Sequence, residues 1–135
     1  MIGVLLITHG NYGVDLLASA SHVLGLTLTQ VGHLAVSVKD DPDTVLEEAR
    51  RLCKEVDDGT GVLVMTDMYG ATPCNIATQL IAGGNVEAVS GVSLPMLVRS
   101  LAYRDEPLAK VREKAITGGT EGIVYINGDP CYAKR

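Results

Sequence analysis

The chain has 135 residues, of which 47% are apolar, and it carries a formal net charge of −5. This composition predicts one packed globular domain spanning 1–135, and the acidic balance argues against nucleic acid and anionic membranes as main partners. Because no apolar run could cross a bilayer and the first residues lack a basic signal-peptide start, we expect a cytoplasmic protein with no direct membrane insertion.

Strands and helices alternate along the chain. Residues 2–7 are a short aliphatic run, typical of a strand buried on both faces, and the run stops just before His9 and Gly10. The second helix is predicted to start at Pro42 with Asp41 as its N-cap. In chain order, we predict strands at 2–7, 31–38, 61–67, 85–92 and 121–126, and helices at 12–24, 42–56, 72–81, 93–104 and 107–116.

This alternation predicts an α/β fold, an open, doubly wound and mostly parallel sheet with helices on both faces and right-handed crossovers. In a strand order like 2-1-3-4, the first and third strands are neighbours, and the switch point where ligands bind lies between them. His9 follows the first strand and Asp67 ends the third. The predicted order therefore brings these two side chains together.

The pair suits phosphoryl chemistry. A neutral imidazole can attack phosphorus through one ring nitrogen while a carboxylate binds the N–H of the other, and we assign these roles to His9 and Asp67. Gly10 leaves room for an incoming group. The turn that follows Asp67 offers backbone N–H groups and a helix start to an anion, with Thr72 as N-cap and hydroxyl donor. The predicted phosphoryl-binding residues are Gly10, Gly70, Ala71 and Thr72.

Cationic residues are scarce near these segments in the sequence. No Lys or Arg lies between Glu55 and Val98, so backbone amides would hold the phosphoryl group unless Arg99 or Arg104 folds back over it. We interpret His22, in a helix, as a packing or surface residue, and His33, in a strand, in the same way.

A thiol site is the main alternative from the residues alone. Cys74 lies in the first turn of a predicted helix, where a thiolate is stabilised, and with His9 and Asp67 it could form a nucleophile. The simpler interpretation is a small residue packed under the loop. The three cysteines have no spacing typical of a disulfide framework or a zinc site, and nucleotide motifs are absent, so we expect no metal and no cofactor.

Three segments, "ITHGNYGVDLLASASHVLG", "GVLVMTDMYGATPCNIA" and "VSGVSLPMLVRSL", resemble in order the enzyme IIA components of the mannose-type phosphoenolpyruvate:sugar phosphotransferase system. The resemblance runs from Ile2 to about Ile126. It implies a phosphocarrier that takes a phosphoryl group from phospho-HPr onto His9 and passes it to a IIB component, with Asp67 orienting the ring. Thr72 matches a family position where Ser is more usual.

The resemblance leaves the biological role open. The chain could serve sugar uptake with a separate IIB component, or act as a regulatory carrier whose phosphorylation state another protein detects. The phosphotransfer subunit of dihydroxyacetone kinase shares the implied fold, but its members tend to have Ser around the histidine. Departures from the family pattern at Met68, Tyr69 and Ala71 lie in the phosphate loop and at the expected partner surface.

We also predict a homodimer. A four-stranded parallel sheet leaves edge strands open to pairing, and the segment EGIVYI at 121–126 is apolar and β-prone. It follows TGGTEG, a glycine-rich stretch that could act as a hinge. Such a strand, antiparallel to the rest, either covers its own sheet or is exchanged with a second copy, and the resemblance favours exchange.

Overall fold

The computed structural model describes residues 1–82 and 84–133 and contains a four-stranded parallel sheet of order β2-β1-β3-β4. The predicted strand order is therefore confirmed. Register places Val4 opposite Val31, Ile7 opposite Thr66 and Val62 opposite Val86. The strands are β1 (Gly3–His9), β2 (Val31–Val36), β3 (Val62–Thr66) and β4 (Val86–Val89).

Two apolar layers cover the sheet, one on each face. Side chains of β1 alternate between them, so that Val4 and Leu6 belong to one layer and Leu5 and Ile7 to the other. The first layer is completed by α1, α4 and α5, and the second by α2 and α3, which confirms the doubly wound arrangement. The helices are α1 (Tyr12–Leu24), α2 (Pro42–Val56), α3 (Thr72–Ile81), α4 (Leu94–Ala102), α5 (Leu108–Glu121) and the short α6 (Pro130–Ala133).

The starts of α2 and α3 are capped differently. Asp41 caps α2 as predicted, accepting the N–H of Thr44 at 3.2 Å. The prediction of Thr72 as N-cap of α3 is wrong, because the N–H of Asn75 donates to the carbonyl of Ala71. Ala71 is therefore the cap residue, Thr72 is the first helical residue, and no side chain caps this helix.

The C-terminal region departs most from the prediction. Within the described chain, residues 121–126 form no strand, since α5 continues to Glu121 and a 3-10 turn occupies Ile126–Gly128. The stretch TGGTEG is not a hinge but lies in the last turns of α5 and at its end. A Cβ on Gly118 would come within 2.9 Å of the Cβ of Arg99, and one on Gly122 within 2.6 Å of that of Pro95. These glycines let α5 pack closely against α4.

Arg104 anchors the opposite end of the sheet from His9. Its buried guanidinium donates to the carbonyls of Ile2, Thr29 and Gln30 at 2.7–2.9 Å. These residues lie just before β1 and β2, so Arg104 does not reach the carboxyl edge. Among the residues that the structure describes, no helix has the length and apolar character needed to cross a membrane.

Candidate functional site

His9 and Asp67 meet at the carboxyl edge of the sheet. His9 is the last residue of β1, and Asp67 directly follows the neighbouring strand β3. The ring Nδ1 of His9 lies 2.8 Å from Asp67 Oδ2, and the backbone N–H of His9 donates to the same oxygen at 2.9 Å. The proximity predicted from the strand order is confirmed.

The carboxylate of Asp67 is held in its charged form. Partial burial opposes its ionisation, but hydrogen bonds from the backbone and ring of His9 outweigh this effect and keep the pKa of Asp67 below its ordinary value. The second oxygen accepts the N–H of Met68 at 3.0 Å. Because an ionised carboxylate only accepts hydrogen bonds, Nδ1 of His9 must be the donor. A neutral ring then has its lone pair on Nε2, and 48% of the side chain is exposed.

Gly10 forms the turn after the histidine. Its φ of +49° favours glycine, whereas a Cβ built at this position meets no described protein atom within 4 Å. The backbone conformation of the turn therefore favours glycine here, and room for an incoming group stays a prediction. The N–H of Gly10 donates to the carbonyl of Val36 at the end of β2.

The predicted phosphate turn starts three residues after Asp67. Gly70 has a φ of +82°, and Ala71 is the extended cap residue directly before α3. Thr72 is exposed in the first turn. Since Pro73 has no N–H, the amides of Thr72 and Cys74 are the first-turn donors that α3 cannot satisfy internally. An anion beside this turn would meet backbone N–H groups and the positive end of a helix.

The other candidate residues lie in different settings. His22 is exposed in the last turn of α1, and His33 is half-buried on β2, where burial lowers its pKa. Cys74 is half-buried in the first turn of α3. Arg99 forms an ion pair with Glu121 of α5. Neither Arg104, at the far end of the sheet, nor Arg99, in this ion pair, supplies the cationic clamp left open above.

Sequence reasoning missed two residues that shape this edge. Thr8 is fully buried next to His9, and its Oγ1 accepts the N–H of Gly13 at 2.9 Å. The hydroxyl of Tyr12 donates to the carbonyl of Val92 at 3.2 Å and so ties α1 to the loop after β4. The sequence did offer a signal for Thr8, because a polar residue directly after the aliphatic run 2–7 indicates a buried side chain that needs a hydrogen-bond partner. The Tyr12 contact joins residues 80 positions apart, and no local pattern indicates it.

A four-stranded parallel sheet of order 2-1-3-4 with a His–Asp pair at its switch point is the arrangement expected of a IIA domain of the phosphotransferase system (PTS). The family model EIIA-man, described as the PTS system fructose IIA component, matches residues 3–116, and the chain belongs to this family. Family membership supports a phosphocarrier role in sugar phosphotransfer.

Similar proteins agree with this assignment. The PTS system mannose-specific EIIAB component of Escherichia coli K12 is 28% identical over 132 residues, which are 96% of this chain and 41% of that protein. The PTS system fructose-specific EIIA component of Bacillus subtilis 168 is 26% identical, over 78% of this chain and 72% of that protein. The chain thus spans about two fifths of the length of the mannose-specific relative.

A solved structure shows the same fold. The phosphotransferase system component EIIA from Streptococcus agalactiae superposes with a TM-score of 0.85 at 26% identity. The alignment covers 96% of this chain and 100% of the other. Sheet order and helix placement are therefore those of a mannose-type IIA domain.

Proposed function

We propose that this chain accepts a phosphoryl group on Nε2 of His9 from the phosphohistidine of HPr and passes it to a IIB component. The hydrogen bond between Nδ1 of His9 and Asp67 carries the proposal. It fixes the ring so that Nε2 has the lone pair, and the half-exposed ring leaves that nitrogen open to a protein donor.

The transfer balances without a cofactor. The Nε2 lone pair forms a bond to phosphorus while the phosphorus–nitrogen bond to HPr breaks, and that electron pair returns to the HPr imidazole. The Nδ1 proton stays on His9 and is held by Asp67, whose negative charge stabilises the phosphorylated, cationic ring. Transfer to IIB is the same displacement, with His9 as the leaving group.

Backbone amides are the proposed binding groups for the phosphoryl oxygens. The start of α3, with Gly70, Ala71 and Thr72, supplies N–H donors, and Thr72 adds a hydroxyl. The N–H of Gly10 already donates to Val36, so the turn at Gly10 would contribute the N–H groups that follow it. Neutral amide donors suit a phosphoryl group that must be passed on. They stabilise phosphorylated His9 less than Lys or Arg side chains would, so the group can leave more easily.

The partners and setting follow from the same proposal. A PTS IIA component works in the cytoplasm between HPr and either a IIB component in sugar uptake or a regulatory target that detects its phosphorylation state. We further propose a homodimer, supported by the open sheet edges and by four exposed apolar residues after α5, at 123–126.

Labelling from phosphoenolpyruvate through enzyme I and HPr tests the proposal. The chain should acquire an acid-labile, alkali-stable phosphate, and His9→Ala should remove it. His22→Ala and His33→Gln are matched histidine controls that should label normally. Full labelling of His9→Ala would contradict the assignment.

The same assay separates the thiol alternative. Cys74→Ala should keep most of the transfer rate, because no step of the proposed reaction uses the thiol. Complete loss of activity in Cys74→Ala, together with an acid-stable and iodine-sensitive phosphate on the wild type, would instead favour a cysteine nucleophile.

A further inference from the structure

Thr8 occupies a buried position directly before the proposed phosphoryl acceptor. Its side chain is wholly inaccessible to solvent, although it lies at the end of β1 where the chain turns toward the surface. Its Oγ1 accepts the N–H of Gly13, in the first turn of α1, at 2.9 Å. Burying a hydroxyl is unfavourable unless it forms a hydrogen bond, and here the hydroxyl pairs with a backbone N–H that would otherwise have no partner.

This contact replaces an ordinary helix cap. Asn11 is the N-cap of α1, but its side chain makes no capping hydrogen bond. The first-turn donor of Gly13 is instead satisfied from the preceding strand. Thr8 and Gly13 therefore close a loop around residues 9–12, and His9 is the first residue inside that loop.

Strand β2 packs against the contact between Thr8 and Gly13 through the side chain of His33. Nε2 of His33 lies 3.3 Å from Thr8 Oγ1, and a Cβ on Gly13 would come within 2.4 Å of Cδ2 of His33 and 3.0 Å of Thr8 Oγ1. The hydroxyl is thus enclosed between the helix start and the neighbouring strand. Such close packing leaves α1 little freedom to shift relative to β1.

We propose that Thr8 is a positioning residue for phosphoryl transfer. By tying the start of α1 to the end of β1, it fixes the turn on which His9 is carried. That turn must be fixed for the ring Nδ1 and the backbone N–H of His9 to reach the same oxygen of Asp67. The effect on transfer rests on the proposed function, whereas the effect on His9 geometry does not.

Three variants test this role. Thr8→Val keeps the shape but removes the acceptor, Thr8→Ser keeps the hydroxyl, and Thr66→Val makes the same exchange at the buried threonine directly before Asp67. No described residue forms a side-chain hydrogen bond with Thr66, which makes it a matched control. Should Thr8→Val fail to fold, Thr8→Ala takes its place with the same measurements.

Rapid-quench transfer from phospho-HPr is the first measurement. In Thr8→Val we expect the saturating rate to fall about tenfold or more, equivalent to about 1.4 kcal/mol, with the half-saturating HPr concentration unchanged. Thr8→Ser should recover most of the rate, and Thr66→Val should stay near the wild type. Equal slowing in Thr8→Val and Thr66→Val, or no recovery in Thr8→Ser, would overturn the positioning role.

Nitrogen-15 NMR of the unphosphorylated protein is the second measurement. The wild type should show a protonated Nδ1 and an unprotonated Nε2 for neutral His9, and Thr8→Val should show a mixture of the two tautomers. A single wild-type tautomer in Thr8→Val would overturn the proposal even if transfer were slow. If the wild type took no phosphoryl group from HPr, the proposed function would fail, while this spectrum would still decide the role of Thr8.

Discussion

One oxygen of Asp67 accepts both the ring Nδ1–H and the backbone N–H of His9, at 2.8 and 2.9 Å. This shared acceptor fixes the ring and the peptide of the same residue to a single point on the neighbouring strand. The imidazole is therefore oriented in the free protein, and the cost of orienting it is not added to the barrier for the proposed phosphoryl transfer.

Asp67→Asn should slow phosphoryl transfer by about 10- to 100-fold while the fold persists, since a neutral amide gives up about 1.5–3 kcal/mol of charge-assisted hydrogen bonding. Rapid-quench kinetics with phospho-HPr measure this change, and circular dichroism verifies the fold. Asp43→Asn, in the exposed first turn of α2, is the matched control. Wild-type rates in Asp67→Asn would remove the orienting role.

The same aspartate should make stability depend on pH. Its folded-state pKa lies below the ordinary value, so its ionised form stabilises the fold above the unfolded pKa of about 3.9. This contribution is lost as pH falls through the lower, folded-state pKa. Urea unfolding should show the wild type more stable than Asp67→Asn near neutral pH, with the difference shrinking in acid. A difference that grew on acidification would contradict the assigned direction.

Arg104→Met should destabilise the protein by about 3 kcal/mol or more, because it removes three hydrogen bonds that the buried guanidinium donates to backbone carbonyls. Those carbonyls belong to Ile2, Thr29 and Gln30. Urea denaturation gives the free energy of unfolding, and Arg50→Met, at an exposed position on α2, should change it by less than about 0.5 kcal/mol. Equal effects of the two substitutions would show that the buried guanidinium contributes little.

Truncation tests the homodimer. A chain that stops after Gly122 keeps all of α5 but loses the exposed Ile123 and Tyr125, whose side chains are 85% and 77% accessible. We expect this chain to be a monomer in sedimentation experiments, whereas the full chain and one ending at Asp129 should be dimers. A full-length chain that is monomeric at high concentration would refute the dimer.

The central strands and the site pair could be predicted from the sequence because their signals are local. A short aliphatic run such as Ile2–Ile7 is typical of an interior strand, and the position where each run ends places His9 and Asp67 at one edge. Strand alternation then limits the topology to few choices. The proximity of His9 and Asp67 could be predicted from these two inferences alone.

The C-terminal prediction failed because a distant contact decides that region. Glycines within TGGTEG indicate a turn when only local propensity is considered. In the fold, Gly118 and Gly122 lie against Pro95 and Arg99 of α4, and absence of side chains is what lets the helix continue there. The contacts of Thr8 with Gly13 and of Arg104 with Ile2 likewise depend on elements that only the folded chain brings together.

The proposed acceptor and its carboxylate stand at the ends of strands whose paired stretches are buried throughout. β1 and β3 pair from Gly3 and Val62 to Ile7 and Thr66, and none of these residues is exposed. Because these strands are buried and paired, the imidazole of His9 can gain a phosphoryl group without any shift of β1 or β3. We therefore expect the two states of the protein to differ in charge at one accessible point and hardly at all in shape. A partner that distinguishes them must detect the added negative charge.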